Sequence, residues 1–130
     1  MTEHPNAVAV GRIFEAWNSG RLDVIREGFS EDAVLHFAGN NSMSGTYRGR
    51  DAVMDALARA ASQGGGPQTE LEALLASDDH VIAFFHAISE RDGKTLDLVH
   101  AMPIKFNAER KMTELWFLAN DQRAYDRFWS

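Results

Sequence analysis

A chain of 130 residues, 45% hydrophobic and 25% charged, carries enough apolar side chain for one domain with its own core, over residues 1–130. Its formal charge of −6 excludes the basic surface that nonspecific nucleic-acid binding needs, and it disfavours anionic membranes. The absence of cysteine excludes disulfides, thiolate metal sites and cysteine nucleophiles, and it fits a reducing, cytoplasmic setting.

Met1 to Asn6 lacks a basic region leading into an apolar core, so no signal peptide is expected. No apolar run approaches the ~20 residues that span a bilayer. A first helix reads from about Asn6 to Asn18, because Val10, Ile13, Phe14 and Trp17 recur at helical spacing. Gly20 supplies a left-handed cap after it. A shorter helix follows from Leu22 to Phe29, then a short strand from Ala33 to Phe37. Ala38 to Gly49 reads as a loop rich in Gly, Asn and Ser. A third helix spans about Asp51 to Ser62, with an acid in its first turn that suits the helix dipole. Ser62 to Pro67 is a flexible connection. Strands are expected near Gln68–Ser77, His80–Arg91, Thr95–Phe106 and Lys111–Ala119. Asp121 to Trp129 reads as a terminal helical turn or two. Helices before an antiparallel meander predict an α+β fold with helices on one face of a curved sheet.

The turns fix which side chains share a face. Asp92-Gly93 is a two-residue hairpin signal, since both residues tolerate positive φ. It pairs Arg91 with Lys94 and sets Phe85 opposite His100, Ala83 opposite Met102 and Ala87 opposite Leu98. A turn at Asn107 to Arg110 pairs Phe106 with Lys111 and sets His100 opposite Phe117 and Met102 opposite Leu115, provided no bulge intervenes. His100 then stands alone in an apolar stripe with Leu96, Leu98, Met102, Ile104 and Phe106. The other face carries Ile82, Phe84, Ile88, Val99, Met112 and Trp116, with His86 among them. A sheet apolar on both sides needs cover on both sides, so a homodimer through this outer face is expected.

The element order resembles the cone-shaped α+β fold of nuclear-transport-factor-2-like proteins. That superfamily includes ketosteroid isomerase, limonene epoxide hydrolase and the SnoaL-like polyketide cyclases. The resemblance spans nearly the whole chain. It rests on Phe14-Glu15-Ala16-Trp17-Asn18-Ser19-Gly20, on Phe29-Ser30-Glu31-Asp32-Ala33-Val34 and on Gly45-Thr46-Tyr47-Arg48-Gly49-Arg50-Asp51-Ala52-Val53. The end, Glu114-Leu115-Trp116-Phe117 with Asp121-Gln122, looks most like SnoaL-like members. It implies a curved antiparallel sheet wrapped around three N-terminal helices, with an apolar cavity. The fold hosts enzymes and binding proteins alike, so it does not imply a reaction. The proton-transfer positions of ketosteroid isomerase fall on Ile13 (or Phe14), Phe37 and Met102, none of which can move a proton. The cyclase aspartate after the last-strand tryptophan falls on Phe117. A pocket histidine of the cyclases corresponds to His100.

His100 is the leading acid–base candidate, because an apolar cage favours a neutral imidazole; the plainer alternative is a structural histidine held by one hydrogen bond. Tyr47, at a cavity mouth, is the candidate for polarising a substrate oxygen, against a packing role under its loop. Phe14, Trp17, Phe37, Phe85, Met102, Leu115 and Phe117 are the expected substrate-contacting residues, and any of them serves equally as core. His36 is expected to point away from the cavity, opposite in parity to Phe37. Asn40 and Asn41 are turn formers or carbonyl donors. Glu114 and Asp121 are expected to be solvated or paired at an interface. Asp78-Asp79-His80 diverges in a turn, so no metal site is expected. No nucleophile elbow, P-loop or dinucleotide fingerprint is present, and no cofactor is expected. The reading is a cofactor-independent enzyme acting on a small, mostly apolar substrate by isomerisation or cyclisation, polyketide- or terpenoid-like. The alternative is a non-catalytic binding protein or dimerisation module that keeps only the cavity.

Overall fold

The first helix forms where the apolar spacing places it. In the computed structural model, which describes residues 3–63 and 68–130, α1 runs over Pro5–Asn18. Pro5 opens it with φ already set for a helix, and His4 Nδ1 accepts from the Asn6 backbone N–H at 3.1 Å. Val10 and Phe14 are buried, with Ile13 and Trp17 packed against the core.

The second helix is shorter than expected. α2 covers Leu22–Glu27, and β1 (Phe29–Phe37) begins at Phe29 rather than Ala33. Tertiary pairing overrides the helical spacing here: Phe29 lies opposite Met112, and Met112 N–H donates to Gly28 O at 2.8 Å. The expected loop contains a four-residue edge strand, β2 (Gly45–Arg48), paired antiparallel with β1. α3 (Arg50–Gln63) reaches Ser62 as expected and takes in Gln63, which was expected in the connection; Gly64 to Pro67 lies outside the described residues. β3 (Gln68–Ala76), β4 (His80–Arg91), β5 (Lys94–Phe106) and β6 (Met112–Ala119) follow. α4 (Gln122–Trp129) closes the order, with Asp121 as its N-cap accepting from Ala124 N–H at 3.1 Å.

The six strands form one sheet in the order β2-β1-β6-β5-β4-β3. Every neighbouring pair is antiparallel except β1 and β6, which run parallel. A parallel pairing needs a long crossover, and the chain from β2 through β5 supplies it.

The two hairpins differ in how they set register. At Asp92 (φ 51) and Gly93 (φ 75) the backbone adopts the expected positive φ, and Arg91 pairs with Lys94, Ala87 with Leu98, Phe85 with His100 and Ala83 with Met102. The β5–β6 turn departs from the expectation. Asn107 Oδ1 accepts from Glu109 N–H and Lys111 N–H, both at 3.0 Å, and Arg110 takes φ 60, so Lys111 belongs to the turn. Phe106 therefore pairs with Met112, and a bulge adds a second residue of offset. His100 faces Ala119, not Phe117, and Leu115 faces Ile104, not Met102. An offset of two preserves parity, so His100 stays on the inner face. Met112, however, precedes the bulge and turns inward. It is 2% exposed in the core, not on the outer stripe.

Candidate functional site

The concave face of the sheet, the helices α1 to α3 beside it and α4 above it enclose a cavity of about 110 Å³. All seven expected substrate-contacting residues line it: Phe14, Trp17, Phe37, Phe85, Met102, Leu115 and Phe117. Ile13 (or Phe14), Phe37 and Met102, where the resemblance leads one to expect the proton-transfer groups of ketosteroid isomerase, all face it. No carboxylate, lysine or arginine is among the described lining residues. An apolar vessel with few polar groups is the usual build of a small-molecule site.

His100 lies on its wall, 3% exposed. Phe85 stacks on the imidazole with centroids 4.9 Å apart and planes at 11°. Tyr125 stands edge-on at 5.1 Å. Nδ1 lies 3.2 Å from Leu98 O. A carbonyl can only accept, so Nδ1 carries the proton and the neutral ring keeps its lone pair on Nε2. Burial lowers the His100 pKa to about 4, with the Leu98 carbonyl opposing and the charge of His86 adding slightly. The imidazole is therefore neutral at pH 7.

Two site residues were not singled out from the sequence: Tyr125 and Trp129, one helical turn apart on α4. The stripe Tyr125, Phe128 and Trp129, all buried, was the available signal. Burial raises the Tyr125 pKa far above that of a free phenol. Tyr125 is thus a phenol, able to donate. The neutral phenol and the indole do not meet in hydrogen-bonding geometry, and Trp129 Nε1–H is buried without a protein acceptor.

A network of polar contacts holds α4 in place. Asp126 Oδ1 accepts from Asn40 N–H (3.1 Å), Asn41 Nδ2 (2.8 Å) and Gln122 Nε2 (3.0 Å), which keeps its carboxyl below the usual carboxylate range. Gly39 sits under this knot with φ +100, and a Cβ there would lie 2.2 Å from Asp126 Oδ1. Asn40 and Asn41 thus shape the loop against α4. Arg91 donates to Phe128 O at 3.1 Å from the far end of the helix.

Tyr47 is not part of the cavity. Its hydroxyl donates to Met43 O at 2.6 Å and accepts from Arg59 at 2.9 Å, and the Arg59 guanidinium lies over its ring. An edge-strand position on β2 turns it away, so the expected polarising role has no access to a ligand there. On the outer face, His36 Nε2 meets Glu114 at 2.6 Å and His86 Nε2 pairs with Asp97. Hydrogen bonding to His36 lowers the Glu114 pKa. Asp121, exposed to solvent, caps α4. No group of three or more potential metal ligands occurs among the described residues.

Comparison with known proteins places this geometry. The chain is 30% identical, over 132 residues and the full length of both, to the uncharacterized protein Rv0034 of Mycobacterium tuberculosis (strain ATCC 25618 / H37Rv). The structure of Bal32a, from a soil-derived mobile gene cassette, superposes with a TM-score of 0.91 at 31% identity, covering 96% of each chain. An NTF2-like protein of unknown function from Burkholderia pseudomallei K96243 shares the fold, with a TM-score of 0.87 at 13% identity over 98% of this chain and 99% of that one. The curved sheet closed by helices is thus the cone-shaped α+β fold of the NTF2-like proteins. The SnoaL-like domain family matches residues 10–115, and the chain belongs to that family.

Proposed function

We propose that residues 1–130 form one enzyme domain that catalyses cofactor-independent proton transfer on a small, mostly apolar substrate, with His100 Nε2 as base and Tyr125 as acid. The observation that carries this reading is the buried, neutral imidazole whose Nδ1 is tied to Leu98, set edge-on to a phenol that burial keeps protonated. Phe14, Trp17, Phe37, Phe85, Met102, Leu115 and Phe117 would hold the substrate. An imidazole of pKa about 4 is a weak base. Proton transfer is efficient when donor and acceptor are matched, so the substrate would carry an acidic C–H, as between two carbonyls or beside a conjugated one. That is the chemistry of polyketide-like cyclisation and of enone isomerisation: a C–H proton moves to Nε2, and the enolate oxygen takes a hydrogen bond from the Tyr125 phenol. In isomerisation the proton then returns at another carbon; in cyclisation the enolate carbon bonds to a second carbonyl carbon, whose oxygen takes the proton from the imidazolium. The family's cyclase and isomerase members support this class. The cavity volume, close to the ~150 Å³ that holds benzene in an engineered core, supports a ligand of about one ring.

A second reading has its own support. The lining carries no carboxylate, so the carboxylate base used elsewhere in this superfamily is missing, as a pure binding protein would allow. Exchange of the α′- and γ-protons of cyclohex-2-enone into D₂O, followed by NMR, separates the two. The enzyme reading expects exchange well above the buffer rate that falls to background in His100→Phe. Binding without accelerated exchange would leave the non-catalytic reading.

The outer sheet face supports a homodimer. Ile82, Ile88 and Leu118 are 36%, 46% and 42% exposed there, beside the half-buried Phe84, Val99 and Trp116. Sedimentation should give a dimer at micromolar concentration, and Ile88→Glu should shift it toward monomer. A wild-type monomer would contradict the assembly. No helix among the described residues is long and apolar enough to cross a membrane.

A further inference from the structure

Trp129 presents a donor that the protein leaves unused. Its residue is 2% exposed, it lines the cavity, and its Nε1–H is the one buried side-chain polar atom among the described residues without a hydrogen-bond partner. An unmet buried donor is costly. A donor free to reorient would find an acceptor, but this one is fixed. Ser42 Oγ and N–H both donate to Trp129 O, and Arg91 donates to Phe128 O. Phe128 and Phe37 wall the indole edge-on, at 5.1 and 5.9 Å between centroids and 89° and 87° between planes. We propose that Trp129 Nε1–H is the recognition donor of the cavity, and that its ligand is a neutral, ring-sized molecule presenting a carbonyl oxygen to it. This rests on the cavity being a ligand site, and it adds the ligand's chemical class.

Three features select that class. An anion would enter a lining without lysine or arginine and lose its hydration uncompensated. A hydrocarbon would leave the indole N–H unmet. A carbonyl accepts without bringing a donor of its own, so it leaves the His100 Nε2 lone pair free for a proton on carbon. Tyr125, between Trp129 and His100 at 6.3 and 5.1 Å between ring centroids, stands where the same oxygen can take a second hydrogen bond.

Cyclohexanone and its near-isostere methylenecyclohexane test this, because they differ in C=O against C=CH₂. The chain has three tryptophans, so a ¹⁵N-labelled sample gives three indole cross-peaks, and Trp129→Phe identifies one by its loss. The proposal expects cyclohexanone to move the Trp129 indole proton downfield, and methylenecyclohexane to bind without that displacement. It also expects Trp129→Phe to lower the affinity ratio of ketone to alkene about 3- to 10-fold, the scale of one neutral hydrogen bond. Both probes binding, with the indole peak equally displaced or unmoved, would overturn the proposal and leave the cavity reading standing. Failure of both probes to bind the wild type would overturn both. The wild-type peak displacement decides the matter even if Trp129→Phe does not fold. Absence of accelerated proton exchange in the cyclohexenone assay, with the downfield shift present, would remove the catalytic reading alone.

Discussion

The two faces of this sheet handle histidine in opposite ways. On the outer face, His36 meets Glu114 and stacks on Trp116 at 5.1 Å, and His86 meets Asp97. Each has a carboxylate able to balance a charged ring. On the inner face, His100 has an aromatic ring on one side, a phenol edge on another and a single backbone carbonyl. Desolvation dominates there and forces the neutral form. The residue type is the same; the partner and the solvent decide what the ring can do. The cavity is therefore chemically distinct from the rest of the surface without containing any charge.

The sharpest way to break this contrast is by activity. His100→Phe should lower proton exchange of cyclohex-2-enone by about 10²- to 10⁴-fold, the usual worth of a positioned base. His36→Phe and His86→Phe should leave it within about twofold. Loss of exchange in an outer-face variant would invert the assignment.

Stability gives the next contrast. Phe37, 4% exposed and packed on Phe117, Tyr125 and Trp129, should cost about 3–5 kcal/mol as Phe37→Ala. Ile88→Ala on the outer face, 46% exposed, should cost well under that in urea denaturation of the same protein. Equal effects would mean that the inner face is not the core.

The pH dependence of stability follows. His100 titrates near 6.5 when unfolded and about 4 when folded, so between those values the unfolded chain binds more protons. Stability is complete above pH 6.5 and falls as pH drops toward 4, by about 3 kcal/mol from this group. In His100→Phe that part of the acid loss should vanish. An acid limb identical to wild type would contradict the burial argument. The smallest effect belongs to the outer pairs: Asp97→Asn, at a carboxylate 64% exposed, should change stability by less than about 1 kcal/mol.

The sequence was most readable where geometry is local. Asp92-Gly93 admits one tight turn, so every pair of the β4–β5 ladder could be counted from it. The Asn107–Lys111 turn is longer, and its length depends on which backbone groups the Asn107 side chain captures. One added turn residue and one bulge moved the partner of His100 from Phe117 to Ala119 and turned Met112 inward. His100 kept its face only because the two offsets have the same parity as none. β2 escaped notice because four residues, the first an exposed glycine and the next after them another glycine, carry no alternation to read. Phe29 looked helical by spacing, yet pairing with Met112 drew it into β1. Tyr125 and Trp129 were visible as a stripe on a short helix. That α4 caps the open end of the cone is a matter of tertiary placement by Asp126, Gly39 and Arg91, from three distant parts of the chain.

The central claim is that His100 is buried, neutral and tied through Nδ1 in the cavity wall. The direct measurement is an NMR titration of its ring resonances, assigned by loss in His100→Phe. The account predicts a midpoint near 4 and a lone pair on Nε2 at neutral pH, read from the ¹⁵N shifts of the two ring nitrogens. A midpoint near the ~6.5 of a free side chain, or a proton on Nε2 in the neutral ring, would contradict it.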